Sequence, residues 1–238
     1  MLQKLITHPI KSQLHLSLNM SGVDCLFSGF TQGDFAVLYG SPAVTPLMSL
    51  LCVRAQLPTQ LGGLSSNVVF IDGGNTFREN NIMRLAQLHH LNPTEACQRI
   101  IVSKAFTAYQ LTSLIMEKLE ETVEKYNSKI VIISDISGLF LDSQIPKEEI
   151  KGIYSQIVRY LSNFAKKKQI IIVASCLPYS ENKRNKALQE ITITKANTVL
   201  SVIKTQYTSE INLEKHPRLM LGTAEMPSEN MTLTSFIN

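Results

Sequence analysis

Four short apolar runs, each closing on a small or acidic residue, constrain this chain more than any other feature. They are Phe35-Ala36-Val37-Leu38-Tyr39 before Gly40, Asn67 to Ile71 before Asp72, Lys129 to Ser134 before Asp135, and Gln169 to Ala174. Runs of this length, with little polar alternation, read as strands buried on both faces, the mark of a mainly parallel sheet. Between them the pattern turns helical at Leu47–Leu57, at Asn81–His90 with Asn92-Pro93 closing it, at Gln110–Tyr126 and at Glu148–Phe164. In Gln110–Tyr126 one face carries Leu111, Leu114, Ile115, Leu119 and Val123; the other carries Glu117, Glu120, Glu121 and Glu124. Ile100-Ile101-Val102 is a further short strand. Strands alternating with helices predict an α/β fold, a mainly parallel twisted sheet flanked by helices.

Two segments read differently. Tyr179 to Lys186 is predicted to be a polar loop, and Ile191 to Gln206 gives a β-rich C-terminal part. At the other end Leu14, Leu16 and Leu18 alternate with Gln13, His15 and Ser17, so residues 1–20 form a lead-in segment. With no linker or repeat, residues 21–238 are expected to form a single core domain.

Composition narrows the function classes. Hydrophobic residues make up 44% of the 238 and charged residues 18%, ordinary values for a globular protein. A net charge of +4 permits a polyanionic partner but is not by itself an electrostatic footprint. Cys25, Cys52, Cys97 and Cys176 are widely spaced, which argues against a metal cluster or a disulfide framework. They are expected to be reduced and mostly buried. With neither a signal-peptide pattern nor a run of about 20 apolar residues, the expected location is cytoplasmic, or nuclear if the source has a nucleus.

Ligands of open parallel sheets sit beyond the carboxyl ends of the strands. The first such end is Gly40-Ser41-Pro42-Ala43-Val44-Thr45-Pro46-Leu47. A phosphate-binding P-loop has Gly, four variable residues, then Gly-Lys-Ser/Thr: amides wrap the phosphates, Lys reaches them, and the hydroxyl holds Mg²⁺. Thr45, Pro46 and Leu47 fill the three decisive positions here. Taken alone, the segment reads as a plain strand-to-helix turn with proline opening the helix.

Its neighbours change that meaning. Ser21-Gly22-Val23-Asp24, Phe30, Gly33-Asp34 and the Tyr39-Gly40 strand end together resemble the opening of the RecA/RadA recombinase core. Phe70 to Arg78 is similar to the family's "YIDTEGTFR" strand end, and Ser103-Lys104-Ala105-Phe106-Thr107 to its "ARAFN" segment. Lys129 to Leu139 resembles the Mg²⁺-binding strand "LLIVDS", with Asp135 at the acidic position. The ordered matches run over roughly residues 18–206. The resemblance implies a RecA-like P-loop NTPase core of archaeal RadA type.

The departures fall where the resemblance places the chemistry. Gly74 stands where the family's Glu polarises the attacking water, a general-base contribution of roughly 10²–10⁴-fold. Cys176 stands where a Gln senses the γ-phosphate. The resemblance therefore implies a degenerate P-loop over Gly40, Ser41, Pro42, Ala43, Val44, Thr45, Pro46 and Leu47, with no catalytic residue and no required cofactor. Weak binding of ATP and Mg²⁺ stays open, with Asp135 as the metal position. A lone strand-end Asp is also commonly kept for capping or loop hydrogen bonds.

The family binds DNA through two loops beyond the sheet. The first corresponds to Asp142–Glu149, which is acidic. The second contains Lys183, Arg184 and Lys186 near Tyr179, basic groups beside an aromatic as on single-strand surfaces, or simply a solvated loop. Before Ser21 nothing corresponds to the family's N-terminal domain or its Phe-x-x-Ala polymerisation element. The expectation is a non-hydrolysing recombinase paralogue. It would aid homologous recombination and DNA repair through a RadA-type recombinase or another paralogue and single-stranded DNA, away from membranes. Leu2, Leu5, Ile6, Met220, Leu221 and Met226 are candidates for docking or for core. Rival readings are an ATPase subunit whose site a partner completes, and a KaiC-like regulatory module.

Overall fold

The fold positions four strand ends side by side. A computed structural model describes residues 14–143, 146–179, 182–205 and 208–226. Strands β1 (His15–Leu16) and β2 (Phe30–Thr31) pair antiparallel and flank helix α1 (Ser21–Leu26). Then follow β3 (Phe35–Tyr39), α2 (Val44–Arg54), β4 (Val68–Asp72), α3 (Glu79–Leu88), α4 (Pro93–Gln98) and β5 (Ile100–Lys104). A continuous helical run comprises α5 (Ala108–Ser113), a π-type stretch (Leu114–Lys118) and α6 (Leu119–Lys125). After it come β6 (Ile130–Ser134), α7 (Lys147–Lys168), β7 (Ile171–Cys176), α8 (Lys183–Lys195), β8 (Thr198–Lys204), β9 (Ser209–Lys215) and β10 (Gly222–Met226).

The eight-stranded sheet has the order β10-β9-β8-β3-β7-β6-β4-β5. From β8 to β5 all neighbours are parallel; β9 and β10 add an antiparallel margin. This is the α/β architecture expected from the apolar runs. Their residues divide strictly by parity. Ala36, Leu38, Phe70, Ile132 and Val173 pack on the face covered by α2 and α3; Phe35, Val37, Ile71, Ile133 and Ala174 pack on the face covered by α7. Both faces are covered, so neither parity is free to be polar.

Residues of the lead-in belong to this packing. Leu16, Leu18 and Met20 are buried in the α2-side cluster. Among the described residues no helix is long and apolar enough to cross a membrane. Cys52 and Cys176 are buried, whereas Cys25 is exposed.

Two sequence readings need correction. Asn92-Pro93 opens a helix rather than closing one: Asn92 Oδ1 accepts the amides of Thr94 and Glu95, and Pro93 takes the first helical position. More consequentially, Lys183–Lys195 is helical, so the polar loop ends three residues after Tyr179 and the β-rich part starts only at Thr198. The run Ile191-Thr192-Ile193-Thr194 is β-branched and reads as strand. Its threonines instead donate back to Leu188 and Glu190 carbonyls, and Asn182 caps the start through the Asn185 amide. Burial of Asn185, Leu188 and Thr192 overrides local propensity.

Candidate functional site at the strand ends

The β3–α2 connection is only Gly40 to Ala43, and it is tightly closed. Gly40 has φ +108°, and a Cβ there would meet the Val202 carbonyl at 2.6 Å, so glycine is required by both conformation and contact. The amide of Ala43 donates to Ser41 Oγ at 3.2 Å, that of Val44 to the Ser41 carbonyl, and that of Thr45 to the Pro42 carbonyl, both at 3.0 Å. Pro42 and Pro46 have no amide to offer. Leu47 is buried in the α2-side core. A phosphate cradle needs outward amides, and those of residues 43–45 are spent within the turn.

Next along the carboxyl edge, Asp72 at the end of β4 organises its own loop. Its Oδ1 accepts the Thr76 amide at 2.8 Å and its Oδ2 the Phe77 amide at 3.1 Å. Thr76 Oγ1 lies 2.5 Å from Ser134 Oγ, tying this loop to the end of β6. Gly74 sits flat against Asp135: a Cβ would come within 2.9 Å of the Asp135 Cβ and 3.0 Å of Thr76 Cγ2. The position compared with a catalytic Glu thus has no room for a side chain in this arrangement.

Asp135 is fully buried, in the left-handed region at φ +49°. Its Oδ1 accepts the Leu177 amide at 3.2 Å and its Oδ2 the Tyr179 hydroxyl at 2.5 Å. The Gly138 amide also points at this carboxylate. Burial raises the Asp135 pKa, opposed by hydrogen bonds from Tyr179, Leu177 and Gly138. Both oxygens are committed to internal donors that pin the segment after β7 onto the segment after β6.

Cys176, at the place compared with a sensing Gln, is core. Burial and then the Asp135 charge push its thiol up to about 12, so it is neutral at physiological pH. Around it Tyr154 and Thr192 hydroxyls lie 2.7 Å apart, Ser137 Oγ donates to Asn185 Oδ1 at 3.0 Å, and Asn185 Nδ2 donates to the Leu177 carbonyl at 3.3 Å. This buried polar network joins α7, α8 and two strand-end segments. Its hydrogen-bonded partners lie up to 48 residues apart in sequence, so no local pattern announces it.

The four residues proposed to meet DNA are gathered but not equivalent. Lys183 and Lys186 are exposed on the first turns of α8. Arg184 Nη1 donates to the Asp142 carbonyl, and the Tyr179 ring is half-exposed while its hydroxyl is held by Asp135. The first turn of α8 carries no acidic residue, so its cations oppose the helix dipole. Asp142 and Ser143 precede α7, while Lys147, Glu148 and Glu149 lie in its first turn; residues 144–145 are outside the described residues. Of the apolar candidates for docking, Met220 and Leu221 are exposed and Met226 packs on the core. Leu2, Leu5 and Ile6 lie outside the described residues.

A parallel sheet with a glycine-opened turn between its central strand and α2 defines a RecA-like α/β core. The Rad51 family model matches residues 13–198, and the chain belongs to that family. A DNA repair and recombination protein RadA from Cenarchaeum symbiosum (strain A) is 27% identical over 122 residues, 51% of this chain. That match spans only 30% of the archaeal protein's length.

Proposed function

We propose that this chain is a non-hydrolysing recombinase paralogue, an accessory factor in homologous recombination and DNA repair. The observation that carries this reading is the β3–α2 turn, where the amides of Ala43, Val44 and Thr45 bond internally within a Rad51-family core. Two further contacts support it: Gly74 packed on Asp135, and the Asp135 carboxylate taken up by Tyr179 and Leu177. No cofactor is required in this reading, and any ATP·Mg²⁺ binding is weak. Its partners are a RadA-type recombinase or another paralogue, together with single-stranded DNA met by Lys183, Lys186 and the Tyr179 ring.

The test pairs ATP turnover with capture of the host's RadA-type recombinase and single-strand binding at two salt concentrations. The expected result is no turnover, alone or mixed, with recombinase captured and binding that weakens as salt rises. Neutralising Lys183 and Lys186 together should lower the salt slope by about 1.4, near 0.7 for each phosphate that no longer meets a cation. Turnover appearing only in the mixture would instead support an ATPase completed by its partner. Failure of both recombinase capture and DNA binding would remove the proposed role.

A further inference from the structure

The end of α2 away from the strand-end site opens on a cavity of about 550 Å³, lined by Arg54, Asp24, His89, His15, Leu57 and Leu61 among others. Arg54 is only 2% exposed. Its Nε donates to the Ser17 carbonyl at 3.1 Å, and its Nη2 to Ser17 Oγ at 2.8 Å and the Leu61 carbonyl at 2.6 Å. Nη1 takes part in none of these three bonds. Two polar atoms of the lining are buried without a partner among the described residues: Asp24 Oδ1 and His89 Nε2. Asp24 and Arg54 feel each other's charge yet form no ion pair. A buried acceptor beside a buried cation, and short of a donor, is costly unless something completes it.

We propose that this cavity binds a protonated phosphate, either inorganic phosphate or the head of a small phosphomonoester. The chemistry follows from the Arg54 guanidinium and the unpartnered Asp24 Oδ1. An ionised oxygen meets Arg54 Nη1, while a P–OH donates to Asp24 Oδ1. Only an oxyanion that still holds a proton satisfies both, and sulfate, of similar shape, has no proton to give. Arg54 on α2 and the neighbouring His90 act on His89, and Asp24 on α1 and His15 on β1 line the same cavity. Desolvation, then Arg54 and His90, lower its pKa to about 4, and a bound anion reverses that. This inference does not rest on the proposed role in recombination.

The His89 imidazole, followed by NMR in the full chain near pH 6, reads the site directly. A phosphomonoester there still carries its P–OH on about half of its molecules. Millimolar phosphate should raise the His89 pKa, and sulfate should act at least about tenfold more weakly, the value of one charged hydrogen bond. Asp24→Asn, which turns an acceptor into a donor as well, should bring the ratio to about one. Equal response to the two anions in the unaltered protein, or response to neither, overturns the proposal. So does a ratio unchanged by Asp24→Asn. Comparing inorganic phosphate with glycerol phosphate then separates the free ion from an ester.

Discussion

The two ends of α2 are finished in opposite ways. At its start, beside the strand ends, the turn amides of residues 43–45 and the carboxylates of Asp72 and Asp135 have protein partners. At its end, Asp24 and His89 each keep a buried atom without one among the described residues, beside the buried Arg54. A polar cluster that has closed on itself holds structure together; one left open is suited to hold something else.

The largest test of the closed end is Gly138→Ala. A Cβ there would collide with Asp135 Oδ2 and meet the Tyr179 hydroxyl at 2.6 Å. The expected loss is about 3 kcal/mol from overpacking and a broken charged hydrogen bond, read from urea denaturation. A loss under about 1 kcal/mol would mean that the cluster yields easily and is not closed.

The open end is tested through pH. His89 has a folded pKa of about 4 against the ordinary 6.5, so the unfolded chain binds the proton first. Stability should therefore fall as pH drops from 6.5 to 4, and His89→Gln should remove that part of the fall. Its partial exposure discounts the effect to about 1–2 kcal/mol. Asp24 and Asp135 work in the other direction, because their raised pKa values favour the folded state as pH decreases through them. A His89→Gln profile parallel to the wild type would show that His89 is effectively solvated.

The smallest effect is Tyr179→Phe. Removing one hydrogen bond to Asp135 should cost about 1 kcal/mol and speed exchange of the Leu177 amide. The aromatic ring stays in place, so single-strand affinity should change little. A large drop in affinity would show that the pinned conformation itself, rather than the ring, meets DNA.

Much of the closed end is legible in the chain. The buried strands announce themselves because both faces are covered, and Gly40, Asp72 and Asp135 follow as strand-end residues. The fate of Asp135 is not legible, since its partners Leu177 and Tyr179 are brought in by β7 about 40 residues later. Helix α8 misleads because Thr192 and Thr194 favour strands until their hydroxyls find carbonyls one turn back. The Arg54 cavity is invisible for a different reason. Arg54 sits in an apolar helix with neighbours that say nothing of a cavity, and its lining is drawn from β1, α1, α2 and α3.

The packing of Gly74 against Asp135 also limits what position 74 can hold. A glutamate at position 74 would need the Asp135 backbone to shift, and that shift would disturb Tyr179, Leu177 and Gly138 together. An acidic side chain introduced at position 74 would therefore meet a loss of stability. The contact makes three segments of the carboxyl edge answer to one missing side chain.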